Sequence, residues 1–172
     1  MKTIIYTFVF LVAALGATSC SDDYNAPAST RNEFINKYPN AVDVEWEKRR
    51  GYVVAEFEIP GEGECEAWYT KGGVWVMTKF DIRYSDLPAA VRTAFETEYG
   101  TQAPVDDVER LERNDNDTIY FIETEVVING FLTDIDLDYA EDGTLLRTTV
   151  DVENYDNIYY YIYSSRGVMM TS

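Results

Sequence analysis

The chain has 172 residues, with 31 acidic against 14 basic side chains, a net charge of −17, two cysteines and no histidine. So negative a surface repels phosphate backbones and anionic headgroups, which excludes nucleic acid as a partner and charge-driven adsorption on acidic lipid. The lack of histidine excludes Ser-His-Asp and Cys-His constellations, imidazole-ligated zinc and the usual general base, leaving carboxylate pairs, lysine or tyrosine chemistry and oxygen-ligated cations.

The chain opens with Lys2 and then Ile4–Gly16, thirteen residues without a charge. Small residues Ala17-Thr18-Ser19 follow, and then Cys20. A basic start, an apolar core and a small-residue cleavage site make a secretory signal over 1–19. Thirteen apolar residues cannot cross a bilayer core, which needs roughly 20. A cysteine as first residue after the cut is the mark of a bacterial lipoprotein, its thiol taking a diacylglyceryl anchor; Ala17 stands where such signals usually have leucine. Residues 20–26 are then a tether. Within it Ser21-Asp22-Asp23-Tyr24-Asn25 resembles the acidic export tag of Bacteroidetes lipoproteins, and reads equally as a plain polar spacer. The expected location is the bacterial outer membrane, periplasmic or surface-exposed, with the membrane met through the anchor only. Cleavage removes Lys2, so 14 basic residues become 13 and the net charge goes from −17 to −18. With Cys20 acylated, Cys65 is the only thiol left and no intramolecular disulfide can form. It alternates in phase with Ala67 and Tyr69, as a small buried apolar residue does.

The body repeats. Pro27, Ala28, Phe34 and Tyr38 recur as Pro88, Ala89, Phe95 and Tyr99, each 61 residues on. Leu87, Val91, Phe95 and Tyr99 recur every four residues on one helical face. Ser85 and Asp86 are candidate caps, and Gly100 can end the helix. Thr30, Phe34 and Tyr38 mark a weaker helix before it. After each helix the period falls to two. Strands are predicted at Val42–Glu47, Tyr52–Ile59, Glu64–Thr70 and Val74–Phe80, with a hairpin turn at Lys71-Gly72-Gly73. Val105–Arg113, Thr118–Ile128, Phe131–Tyr139 and Thr144–Val150 follow, with a turn at Glu141-Asp142-Gly143. The hairpin marks Tyr69, Gly73 and Thr78 recur 70 residues on as Tyr139, Gly143 and Thr148. The fold class predicted is α+β: two helix-plus-four-strand units in tandem, 27–84 and 85–150, forming an antiparallel sheet with helices on one face. Residues 151–172 are a tyrosine-rich tail that could add an edge strand, close over the sheet face or serve as a sticky partner segment; packing on the body is expected.

Two constellations stand out. Asp134, Asp136 and Asp138 share one face of a strand, about 6.5–7 Å apart. With a neighbouring strand they could hold calcium or form a glycosidase pair, but Tyr139 stands where a calcium loop needs glycine. A solvated strand face is the expectation. Asn114-Asp115-Asn116-Asp117 reads as a turn. Phasing the strands by their apolar residues leaves Trp68, Trp75 or its neighbour Met77, Tyr120 and Ile122 off the helix-packed side, a candidate recognition face.

The elements Leu87-Pro88…Val91…Phe95…Tyr99, the valine-rich strand before Glu109 and the hairpin Trp68-Tyr69-Thr70-Lys71-Gly72-Gly73-Val74-Trp75 resemble the PepSY-like proteins of Bacteroidetes, whose fold is similar to the beta-lactamase inhibitor protein. The family hairpin usually reads aromatic-Asp-x-Asp-Gly-x-Trp; the first copy here lacks the aspartates and the second has Leu145 for the tryptophan. Over roughly 27–150 the resemblance implies a curved sheet with helices on its convex side, a secreted or lipoprotein habit and no established activity. The leading expectation is a non-catalytic module, without cofactor, that binds a protein or peptide, including inhibition of a secreted hydrolase by analogy. A carbohydrate-binding accessory protein and a carboxylate hydrolase are the alternatives.

Overall fold

The computed structural model describes residues 24–150. The signal segment, Cys20 and the tyrosine-rich tail lie outside them. The element order is α1 (Ala28–Lys37), β1 (Val42–Arg49), β2 (Tyr52–Ile59), β3 (Gly63–Tyr69), β4 (Trp75–Asp81), a 3-10 turn (Tyr84–Asp86), α2 (Ala89–Tyr99), β5 (Asp107–Arg113), β6 (Thr118–Ile128), β7 (Phe131–Ala140) and β8 (Leu145–Val150). All eight strands form one antiparallel sheet whose spatial order is the chain order. Neither helix, at 10 and 11 residues, is long and apolar enough to cross a membrane.

The helices form for local reasons. Pro27 and Pro88 sit at the N-caps with φ −53° and ψ 143°, where a missing N–H costs nothing. Ser85 and Asp86 are not caps: they lie in the 3-10 turn, and Asp86 accepts from Arg83 Nε at 2.9 Å. Gly100, at φ +91°, ends α2, its N–H bonded to the Glu96 carbonyl.

Both helices lie on the same side of the sheet. Under α1, Phe34 and Tyr38 pack with Val53, Ala55, Phe57, Cys65 and Tyr69. Phe34 meets Phe57 edge-on with centroids 4.9 Å apart. Under α2, Leu87, Val91 and Phe95 pack with Val108, Tyr120, Ile122 and Leu137. Register carries one face into the other: Phe80 of the first cluster pairs with Arg110, two residues along β5 from Val108 of the second. Cys65 is buried in the first cluster, and burial pushes its thiol pKa up to about 12, as an inert core residue requires.

Each helix is also clamped at its N-terminal end by a hairpin. Gly73, at φ +83°, closes the β3–β4 turn against Ser29 and Thr30. Gly143, at φ +85°, closes the β7–β8 turn against Ala90. In both turns the glycine N–H reaches the carbonyl three residues back at 2.9 Å. Simple alternation fails at β1, where a bulge between Val42 and Glu45, with Asp43 at φ +51°, leaves Val42 and Val44 exposed.

Candidate functional site

The face of the sheet opposite the helices is built by register. Val54 pairs with Trp68, Trp68 with Met77, Lys79 with Leu111, and Leu111 with Ile119. With Tyr52 and Phe121 these apolar residues form a third core cluster, separate from the two beneath the helices. The expected aromatic face therefore divides. Trp68 and Met77 stand opposite the helices. Tyr120 and Ile122 do not: they pack under α2. Trp75 does not either. A bulge between Trp68 and Tyr69 pairs Tyr69 with Trp75 but Trp68 with Met77, so one extra residue, Val76, turns Trp75 to the helix side. There its Nε1–H donates to Thr78 Oγ1 at 2.8 Å and Lys37 Nζ lies 3.7 Å from the ring.

Trp68 is held from several sides. Tyr52 tilts against it with centroids 6.2 Å apart, and its Nε1–H donates to Glu66 Oε2 at 3.2 Å. The Arg49 guanidinium lies 5.4 Å from its ring and pairs at once with Glu47, Glu56 and Glu66, the last at 3.0 Å. Sequence alternation could place Glu56 and Glu66 on one face, but gave no sign that a single arginine gathers them.

Beside the apolar centre runs a groove of about 460 Å³ lined by Glu45, Glu56, Glu58, Glu64, Glu66 and Asp81, with Lys79 the cation among its lining residues. Lys79 pairs with Glu109 at 2.8 Å. Burial raises the pKa of Glu109 to about 7, Lys79 pulling it back. Burial also raises Asp81, with Lys79 opposing, and Glu56, with Arg49 opposing. Burial thus makes Glu109, Asp81 and Glu56 hold their protons more tightly than free carboxylates do.

Asp134, Asp136 and Asp138 occupy this face too, paired with Glu125, Glu123 and Phe121 across β6–β7. The expected solvated stripe holds for Asp134, which is exposed, and fails for Asp138, which is fully buried and paired with Arg147 at 2.5 Å. Among the described residues no three thiol or carboxylate groups converge as metal ligands would. The stretch Asn114–Asp117 is a turn, with the Asp117 N–H on Asp115 Oδ1 and Arg113 on the same carboxylate.

Known proteins share this fold. Residues 52–147 match a family model described as "Putative beta-lactamase-inhibitor-like, PepSY-like". Among solved structures, a BLIP-like protein of Bacteroides fragilis is 30% identical with TM-score 0.68, over 78% of this chain and 92% of that one. A DUF2874 family protein of Bacteroides ovatus is 27% identical with TM-score 0.70, over 78% and 94%. A structure from Bacteroides eggerthii described as one of "putative periplasmic proteins" is 24% identical with TM-score 0.69, over 78% and 96%. No curated protein matches the chain.

Proposed function

The chain belongs to the beta-lactamase-inhibitor-like, PepSY-like family, and on that premise we propose that it is a non-catalytic envelope protein that binds a protein or peptide through the sheet face opposite its helices. The observation that carries this is the carboxylate-lined groove on that face, where Glu45, Glu58 and Glu64 stand exposed beside the buried Trp68 cluster. The helix side is already filled by α1 and α2. The matching chemistry is a segment carrying lysine or arginine. Negative charge steers such a segment in. Inhibition of a secreted hydrolase is one form of this function, supported only by the likeness of fold.

A glycan platform is less well served. Stacking on sugar needs an exposed ring, whereas Trp68 is buried and Trp75 lies beneath Lys37. A hydrolase has little support from the aspartate stripe, where Asp138 is taken up by Arg147. Placement in the envelope is supported by the signal pattern before Cys20 and by the periplasmic description of the Bacteroides eggerthii structure. The matching turns of Gly73 and Gly143 on the two helices support reading 27–84 and 85–150 as two copies of one unit.

The test is affinity capture from native envelope with the full mature chain, wild type against Glu58→Lys/Glu64→Lys. These two residues are exposed cross-strand partners at the groove. The variant is expected to lose the captured partner, and wild-type capture to weaken as salt rises through the range that screens surface charge. Equal capture by both proteins would refute the use of this face.

A further inference from the structure

The open face poses a packing question that its own residues do not answer. Trp68 is 0% exposed, and Val54, Leu111 and Met77 are also buried. Yet among the described residues both helices are on the other side. The neighbours of Trp68 on its own face, Tyr52, Arg49 and Met77, come from the same sheet layer. Side chains of one layer stand roughly perpendicular to the sheet and shield one another's flanks, not their outer ends. Full burial of a tryptophan therefore calls for a second layer, which packs about 10 Å from the first. Asp138 makes the same demand from β7: it too is 0% exposed on this face.

We propose that the second layer is the chain's own C-terminal segment, residues 151–172, lying across the Trp68 cluster and competing with the partner for this face. Its composition fits. Tyr155, Tyr159, Tyr160, Tyr161 and Tyr163, with Ile158 and Ile162, supply large apolar area with hydroxyls that can meet the surrounding carboxylates. Its reach fits. The described chain ends at Val150 on β8, five strands from β3, a span of about 24 Å at ~4.8 Å per strand. Extended chain covers that in about seven or eight residues, and Tyr159 lies nine residues beyond Val150. The other end of the chain is placed less well: Tyr24 and Ala26 pack with the α1 cluster on the helix side. A second copy of the protein would bring its own net charge of −17 against an acidic face. The competition, though not the cover, rests on the recognition face proposed above.

The test uses the full mature chain with Trp46→Phe and Trp75→Phe, leaving Trp68 as its only fluorophore of that type. Acrylamide quenching of Trp68 should be weak, and should rise several-fold when Tyr159, Tyr160 and Tyr161 are all changed to serine, with far-UV circular dichroism preserved. Unchanged quenching in that variant overturns the proposal. So does shielding of Trp68 that is lost on dilution of the parent protein, which assigns the cover to a second copy. A variant that fails to fold is replaced by Tyr160→p-benzoylphenylalanine in the otherwise native chain. Photocrosslinks within the molecule to Trp68, Met77 or Leu111 are expected, and crosslinks confined to the helix side or to other molecules overturn it. If the tail is confirmed there and Glu58→Lys/Glu64→Lys still captures as wild type does, the cover stands and the recognition reading fails.

Discussion

Gly143→Ala isolates the clamp between the last hairpin and α2. Gly143 has φ +85°, where an L side chain is strained. That backbone term alone costs about 1–2 kcal/mol. A Cβ placed there would also lie 2.6 Å from the Ala90 carbonyl oxygen and 2.9 Å from its carbon. Both atoms belong to the first turn of a helix and cannot rotate away, so hairpin and helix must separate. Forced shifts of that kind cost about 1–3 kcal/mol more. Gly130 supplies the control. It has the same φ of +85° with nothing within 4 Å of a built Cβ, so Gly130→Ala pays the backbone term only. Gly73→Ala should fall between, because its nearest contact is the Thr30 hydroxyl at 3.1 Å. The assay is equilibrium urea unfolding, comparing midpoints at an unchanged m-value. The expected order of destabilisation is Gly143 above Gly73 above Gly130, with the first roughly 2–5 kcal/mol in total. A Gly143→Ala midpoint within error of Gly130→Ala would show that the turn does not press on α2.

Phe95→Ala removes a ring that is 1% exposed and stacks on Tyr99 with centroids 5.3 Å apart, so it should cost about 3–5 kcal/mol, while Phe131→Ala at the exposed β6–β7 tip should stay within about 0.5 kcal/mol; thermal melts separate them. Lowering pH from 7.5 to 5 should raise Tm: Glu109 is raised in the folded state, so its contribution is complete below the ordinary carboxylate range and is lost as pH rises through about 7. At ~1.4 kcal/mol for each tenfold change in proton affinity, that is at most about 3 kcal/mol. Glu109→Gln should remove most of the rise, and a Tm that is flat or falls toward pH 5 contradicts the assignment. Cys20→Ala should abolish labelling of cells by a tagged palmitate analogue at this protein; equal labelling of variant and wild type would end the lipoprotein reading.

The helices and most strands were legible because their signals are local. The stripe Leu87, Val91, Phe95, Tyr99 needs only four-residue spacing, and β2 and β6 have the very bounds that alternation predicts. The candidate site was less legible because the side a residue faces is a sum over the strand. One extra residue at Val76 reverses Trp75 relative to Met77, and no propensity in Val74-Trp75-Val76-Met77 announces it. Tyr120 and Ile122 failed by phase as well: in Thr118–Ile128 the residues from Ile119 to Ile122 are all buried, so alternation gives no face to choose. Asp138 was misjudged for a different reason. Its stripe reads as wet until Arg147, nine residues away on β8, is seen to meet it.

The order of the sheet has a consequence for how the chain assembles. Every strand pairs with the one before it in sequence, and only the β4–β5 connection holds a helix. Contacts that close short loops form early and cost little chain entropy. A polypeptide emerging N-terminus first can therefore lay down each strand on a partner already in place, without waiting for its end. The single large closure falls where α2 must be swung beneath strands not yet made, and residues 82–106 are where an arrested chain would stall.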